Sequence, residues 1–223
     1  FGLQQQIGRI TAIEMSAFYK DIRDLLAVQS IRYESEKYGP SNYSIYMNKD
    51  YGNVKGYTFS LTKRYDPVSK TSAFVDYTYQ VTEGNSVTSG SFYYNALSGE
   101  QEEKRIVPLA WDQRHILNTN VSVGDPRNWN LGIISKLSSG WPYTPNIPDA
   151  NYVPQPNSGR KPWQWRVDMR LHKNFKVGKL NYLVFMKVYN LLDRRNERYV
   201  FNDTGRAGSV SYTHLRAHET IPD

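Results

Sequence analysis

The 223-residue sequence contains no cysteine, so neither a disulfide scaffold nor a thiolate-ligated zinc or iron–sulfur site can be built from it. Long hydrophobic runs are missing too: nowhere do about 18 apolar residues follow one another, which excludes a transmembrane helix. Phe1-Gly2-Leu3 has neither the initiator methionine nor the basic start of a signal peptide, and the chain is expected to begin within a longer protein. Aliphatic residues are scarce. The apolar share of 39% counts tyrosine and omits glycine; exchanging the 18 Tyr for the 15 Gly leaves roughly 38%, against about 45–50% for a soluble globular domain. Nor is there a basic cluster, because the 28 Lys and Arg are spread along the chain, often beside Asp or Glu, in runs no longer than Arg194-Arg195. The net charge of +7 therefore reads as a solvated or lumen-facing surface, and no nucleic-acid partner is expected.

Aromatic residues are plentiful. They reach 14%, with 18 Tyr and 5 Trp, so the disordered class fits badly. One segment is set aside before any fold is built. The string VSYTHLRAHET from Val210 to Thr220 resembles the translation of a transposase adaptor used in sequencing libraries, and residues 210–223 are expected to be a non-native tail. This removes His214 and His218, four apart beside Glu219, which on a helix would invite a zinc reading. Without the tail, 27 bases and 19 acids leave a charge of +8, and the histidines are His115 and His172.

Period two organises residues 1–209. Ala73, Val75, Tyr77, Tyr79 and Val81 alternate with Phe74, Asp76, Thr78, Gln80 and Thr82, as a strand requires. Trp165, Val167, Met169 and Leu171 alternate with Arg166, Asp168, Arg170 and His172. Rougher alternation marks Ile10 to Tyr19, Val54 to Lys63, His115 to Val123, Trp129 to Leu137 and Leu180 to Tyr189, with a partial strand at Leu3 to Ile7. The pattern predicts an all-β, antiparallel protein of about eight strands with no helix.

Strand lengths and connections narrow the architecture. Segments of about 9–12 residues exceed the common strand of about 5–6 and suit a tilted bilayer crossing. Short connections are predicted at Tyr65 to Lys70, Gly124 to Arg127 and Lys176 to Lys179, where Asp-Pro and Gly set turn dihedrals. Long loops are predicted at Asp21 to Gly52, Glu83 to Asp112 and Gly140 to Pro162. Alternating short and long connections mark a transmembrane β-barrel, whose periplasmic turns are tight and whose outer loops are long. Charge then assigns the faces. An Arg or Lys facing lipid at the midplane costs about 2–4 kcal/mol, so Arg166, Asp168, Arg170 and His172 are assigned to the lumen, with Lys136. Trp165, Val167, Met169 and Leu171 face hydrocarbon, as do Trp129, Leu131, Ile133 and Leu137. Trp129, Trp165, Tyr57, Tyr79 and Tyr182 would sit at headgroup level.

Four stretches carry a family likeness: DYGNVKGYTFSLTKR (Asp50 to Arg64), PLAWDQRH (Pro108 to His115), SGWPYTP (Ser139 to Pro145) and KVYNLLDRRNERYVFNDTGRAG (Lys187 to Gly208). In order and spacing they resemble the C-terminal part of TonB-dependent outer-membrane receptors, over nearly all of residues 1–209. The resemblance implies a 22-stranded barrel with a plugged lumen, of which these strands are about a third. The plug with its TonB-contacting box, and a final strand or two, are absent from this sequence. It implies uptake of a scarce nutrient in the outer membrane of a Gram-negative bacterium, energised from the inner membrane. The partners are outer-membrane lipid, the TonB complex acting through the missing plug, and a nutrient ligand. Two alternatives remain: a secreted soluble β-protein that binds carbohydrate through Trp- and Tyr-rich loops, and a passive outer-membrane channel.

No catalytic residue and no cofactor is expected. Asp112 lies near His115 without a motif-grade serine or second carboxylate, so it reads as a structural hydrogen-bonding group at the rim. Asp168 and His172 share a face four residues apart, roughly 13 Å along a strand, too far for joint metal ligation. The stretch from Gly84 to Gly99 lacks the lysine of a phosphate-binding loop. Substrate contact is expected in loops, where Trp141, Tyr143, Tyr152 and Trp163, with Tyr93 and Tyr94, offer faces to a sugar ring or aromatic chelator, unless they pack on one another.

Overall fold

The computed structural model describes residues 1–37, 39–85, 105–146 and 154–208. The segments 86–104, 147–153 and 209–223 lie outside the described residues, and with them Tyr93, Tyr94, Tyr152 and the predicted tail. Among the described residues eleven strands follow in chain order: β1 (Gly2–Ile7), β2 (Thr11–Ser35), β3 (Gly39–Asp66), β4 (Thr71–Gly84), β5 (Val107–Pro108), β6 (His115–Asp125), β7 (Trp129–Ser138), β8 (Pro142–Tyr143), β9 (Gly159–Arg160), β10 (Gln164–Val177) and β11 (Leu180–Val188). The described residues contain no helix. One sheet runs β1-β2-β3-β4-β6-β7-β10-β11, with each strand antiparallel to the one before it; β5 adds to β4, and β8 pairs with β9. This is the predicted eight-stranded meander.

Register separates two faces. Read perpendicular to the strands, Leu3, Met15, Phe59, Tyr77, Leu117, Leu137 and Trp165 stand opposite one another across seven strands. The row one residue away, on the other side of the sheet, is Gln4, Glu14, Ser60, Asp76, Asn118, Lys136 and Arg166. One row is wholly apolar or aromatic and its neighbour wholly polar, so a slip of one residue would invert every side chain. The polar face bonds within itself: the Ser16 and Thr58 hydroxyls pair, Ser60 donates to Asp76 at 2.6 Å and Ser122 to Asn130 at 2.8 Å.

The same row measures the tilt. It lies five residues from Gly8 at the first turn (8 minus 3) and thirteen from Gly178 at the last (178 minus 165), a stagger of eight residues over six strand-to-strand steps. At about 3.3 Å per residue and 4.8 Å per strand this is an incline of about 42°. Barrel strands tilt by 35–45°. Among the described residues no second layer covers the apolar face. The buried apolar side chains are Ala27, Val28, Val81, Val107, Leu109 and Val167, whereas Ile133, Leu171, Phe175, Val184 and Met186 are exposed. A soluble sheet would have to bury that face against another layer.

Short and long connections alternate as predicted. Residues 8–10, 67–70, 126–128 and 178–179 form tight turns on one rim. Asp66 accepts hydrogen bonds from the backbone N–H groups of Val68 and Ser69, both at 3.1 Å, and Asp125 from that of Arg127 at 3.0 Å. Such side-chain turns fix the chain reversal without help from neighbours.

The opposite rim corrects one expectation. Asp21 to Gly52 is no loop, because β2 and β3 continue pairing to Ser35 and Gly39 as a two-stranded ribbon beyond the rest of the sheet. A bulge between Ile22 and Leu25, with Asp24 at φ 60°, shifts the register there. Beyond the two shifts the original register returns, with Ala27, Ile31 and Tyr33 opposite Met47, Tyr43 and Ser41, but the run Leu25 to Val28 interrupts the alternation, so one unbroken period does not reveal it. The other two predicted loops also carry short strands, β5, β8 and β9.

Two turn glycines separate backbone strain from crowding. Gly124 has φ +121°, and a Cβ there would stand 2.5 Å from the Trp129 carbonyl oxygen and 2.9 Å from its ring, whereas Gly8, at φ +65°, faces open space. Gly8→Ala is expected to cost about 1–2 kcal/mol from the left-handed backbone alone. Gly124→Ala should lose clearly more, about 2–4 kcal/mol, because overpacking adds to strain. Urea midpoints of the protein folded in lipid vesicles give both values; equal losses would contradict the crowding.

Candidate functional site

The long-loop rim is built around one buried carboxylate. Asp112 and Thr82 are fully buried. The Thr82 N–H donates to Asp112 Oδ1 at 2.8 Å, and Arg114 Nε donates to Oδ2 at 2.7 Å. Arg160, arriving on β9, donates through Nη2 to the same Oδ2 and through Nη1 to the Asp112 carbonyl at 2.6 Å. Burial opposes the charge of Arg114, but the Asp112 carboxylate more than compensates and holds its pKa above the ordinary value. The segment is docked by one long-range bond, from the Leu109 N–H to the Thr82 carbonyl (3.1 Å), and one local one, from the Asp112 N–H to the Leu109 carbonyl (2.8 Å). Asn157 ties the next loop to the same point, donating to the Pro108 carbonyl at 2.8 Å and accepting nothing from Asp112. Three donors, two of them guanidinium groups, converge on the Asp112 carboxylate. It acts as a clip between two loops, the rim role expected of it.

His115 begins β6 beside this clip. Its Nδ1 lies 2.9 Å from the Tyr77 hydroxyl, and its ring stacks against Trp163 at 5.5 Å and 23°. Tyr79 is 5.1 Å from His115 and 5.2 Å from Tyr57, so an unbroken aromatic track crosses β3, β4 and β6 to the start of β10. Further along β10, the Trp165 indole N–H donates to Ser135 at 2.9 Å. A second aromatic level lies near the short turns, where Phe175 and Tyr182 stack at 5.5 Å and Trp129 stands opposite Lys173. From Trp165 to Phe175 is ten residues (175 minus 165), about 33 Å along the strand and about 25 Å after a 42° tilt. An outer-membrane barrel has an apolar band of that height between aromatic girdles.

The predicted loop residues are placed as follows. Trp163 belongs to the aromatic track. Trp141 is half-buried, and its carbonyl accepts from the Lys161 N–H at 3.0 Å. The Tyr143 ring fits between two glycines: a Cβ on Gly159 would lie 2.7 Å from it, and one on Gly205 would collide with its hydroxyl. Tyr152 lies outside the described residues. The loop thus gathers Trp141 and Trp163 near the clip, while Tyr143 locks β8 and β9 to the segment after β11.

Arg166, Asp168, Arg170 and His172 share the polar face with Lys136, as alternation requires. Arg166 donates to Asp168 at 2.9 Å and lies 5.7 Å from the Tyr189 ring centre. Asp168 also accepts from the Asn190 N–H at 2.9 Å, whereas His172 Nε2 lies 3.4 Å from the Pro126 carbonyl. Asp168 and His172 thus serve different partners. Among the described residues no group of three His, Asp or Glu could hold a metal ion. Asn196, which the sequence reading passed over, covers β10 beyond the end of β11, accepting from the Trp165 N–H at 2.9 Å and donating to the Trp165 carbonyl at 3.0 Å. Arg160, Asn157 and Asn196 carried no sequence signal, since each contacts a partner 31–49 residues away.

A single sheet, two-faced, inclined by about 42° and bounded by two aromatic levels, is the wall of an outer-membrane type β-barrel. Among solved structures it is similar to the outer membrane transporter YddB from Escherichia coli, with a TM-score of 0.65 and 14% identity. The match covers 87% of this chain and 28% of that one, so the chain spans little more than a quarter of the transporter's length. No family model and no curated protein matches the sequence.

Removing the clip should loosen the rim. Asp112→Ala leaves two guanidinium groups and the Thr82 N–H without their shared acceptor, an expected loss of about 3–5 kcal/mol. Asp112→Asn, which keeps an acceptor oxygen, should lose less. Urea midpoints in vesicles check the order, and an alanine variant as stable as the parent would contradict the clip.

Proposed function

We propose that this chain is part of the wall of an outer-membrane transporter of the TonB-dependent type, which takes up a nutrient across the outer membrane of a Gram-negative bacterium. The observation that carries the reading is the pair of adjacent rows, one apolar through seven strands and one polar. A sheet with these rows and no covering layer is stable where lipid meets one face and an aqueous or plugged lumen the other. The short turns then belong to the periplasmic side and the clip, the Trp141 loop and the β2–β3 ribbon to the outside. The four stretches that resemble TonB-dependent receptors supply the energised mechanism, with a plug and its TonB contact outside this chain. Capture of the nutrient falls to Trp141 and Trp163, with Tyr152, while Arg166, Asp168, Arg170 and His172 line the lumen.

Two neighbouring isoleucines test the faces with identical chemistry. Ile133 lies midway along β7 on the apolar face opposite Val121 and Met169, and Ile134 on the polar face opposite Asn120 and Asp168. Ile133→Arg should cost about 2–4 kcal/mol of stability in vesicles, and Ile134→Arg about 1 kcal/mol or less. The reverse order would place the wrong face in lipid. For the loop, Trp141→Ala at normal surface expression should weaken uptake of the growth-rescuing nutrient by about fivefold or more, as loss of a stacking ring does. Unchanged uptake would remove Trp141 from the capture site.

A further inference from the structure

The rim of short turns is unusually basic. Within three residues of the four turns lie Arg9, Arg64, Lys70, Arg127, Lys176 and Lys179, against the acids Asp66 and Asp125. Both acids are turned inward onto backbone N–H groups of their own turns. At the other rim, by contrast, acids and bases pair: Arg23 with Asp21, Lys55 with Glu83, Arg114 and Arg160 with Asp112, Arg206 with Glu197.

The charge is concentrated where the β6–β7 and β10–β11 turns meet. A cleft of about 620 Å3 opens there, lined by Arg127, Asn128, Lys176, Asn181, Phe175 and Tyr182 among others. Asn174 builds it: its N–H donates to the Asn128 carbonyl at 2.6 Å, and its side-chain amide to the carbonyls of Pro126 and Arg127, both at 3.2 Å. The Arg127 side chain is 94% exposed, and its contact with Asp125 is loose at 3.8 Å. Lys173 emerges on the apolar face opposite Trp129 and Val184. Lys173, Lys176 and Lys179 have no ion-pair partner among the described residues. A lysine in that position lays its stem along hydrocarbon and lifts its ammonium to the headgroup level.

We propose that this corner of the rim is a binding site for an anionic phospholipid of the periplasmic leaflet. Lys173 on the apolar face and Arg127 in the exposed turn meet the phosphodiester, Lys176 adds charge from the cleft at the polar-face end of β10, and the stacked Phe175 and Tyr182 meet the glycerol and upper acyl chain. The inference rests on the membrane reading above. A point-charge site of three cations beside an aromatic stack suits a charged headgroup on an apolar tail, whereas a free phosphate would leave the aromatic half unused.

Trp129 reports on this corner, because Trp165, Trp163, Trp141 and Trp111 belong to the other end of the strands. The full-length transporter that contains this chain is folded into vesicles of phosphatidylcholine with a minor share of phosphatidylglycerol, brominated on one lipid or the other, and quenching lost in Trp129→Phe is taken as the Trp129 signal. Quenching by brominated phosphatidylglycerol should exceed its mole fraction by about fivefold or more, in line with the attraction per cation near an anionic surface. The preference should vanish in the Arg127→Gln, Lys173→Gln, Lys176→Gln variant and persist when the same lysines become arginine and Arg127 becomes lysine. Equal quenching by both lipids would overturn the lipid site while leaving the membrane reading intact. No quenching by either would overturn the membrane reading itself. Loss of the preference in millimolar inorganic phosphate at constant ionic strength would assign the site to free phosphate and overturn the lipid proposal.

Discussion

Everything in this molecule depends on the lateral register of antiparallel strands. With side chains alternating at period two, one residue of slip would exchange the row from Leu3 to Trp165 for the row from Gln4 to Arg166. In lipid that exchange would place Glu14, Asp76, Lys136 and Arg166 in hydrocarbon, each at a cost of kilocalories. The register is held where such a slip would begin, at turns whose Asp66 and Asp125 side chains close on their own backbones. A soluble protein secures itself by a core. This one places few side chains out of solvent reach and relies on surroundings that differ across the sheet.

The two rims divide the remaining work. On the short-turn rim, local chemistry suffices: each reversal is made by an Asp or a left-handed residue within a few positions. On the other rim the connections are long, and the side chains that hold them find partners distant in sequence. Asp112 joins β4, the loop ahead of β6, and β9 in one buried cluster, and Tyr143 wedges the next loop against residues around Gly205. Loops positioned in this way hold Trp141 and Trp163 without further ordering.

The sequence made the strands legible because lipid and lumen impose opposite demands on alternate residues. Trp165 to His172 shows this best, and its alternation survives intact in β10. The aromatic levels were legible for the same reason, at Trp129, Tyr182, Tyr57, Tyr79 and Trp165. The β2–β3 ribbon was hidden by a bulge at Asp24 and by the apolar run Leu25 to Val28, which interrupt the alternation, and it lies beyond the rest of the sheet. Phe74, Ile134, Leu183 and Phe185 sit on the polar face, where a lumen tolerates apolar side chains that lipid-facing positions could not exchange for charge. At the rim, Asp112 stood out through the PLAWDQRH stretch, but Arg160 did not, since nothing local marks a guanidinium that will travel 48 residues to its carboxylate.

The absence of native cysteine makes the central claim directly measurable. Single cysteines placed at each position from Gln164 to Lys176 can carry a nitroxide, and its collision rates with oxygen and with a water-soluble nickel complex report lipid and water in the folded, membrane-embedded protein. Accessibility to oxygen should peak at positions 165, 167, 169 and 171, and accessibility to the nickel complex at 166, 168, 170 and 172, in strict alternation. Oxygen and nickel profiles that rise and fall together along β10, or that alternate with the opposite phase, would contradict a wall with lipid on one side and a lumen on the other.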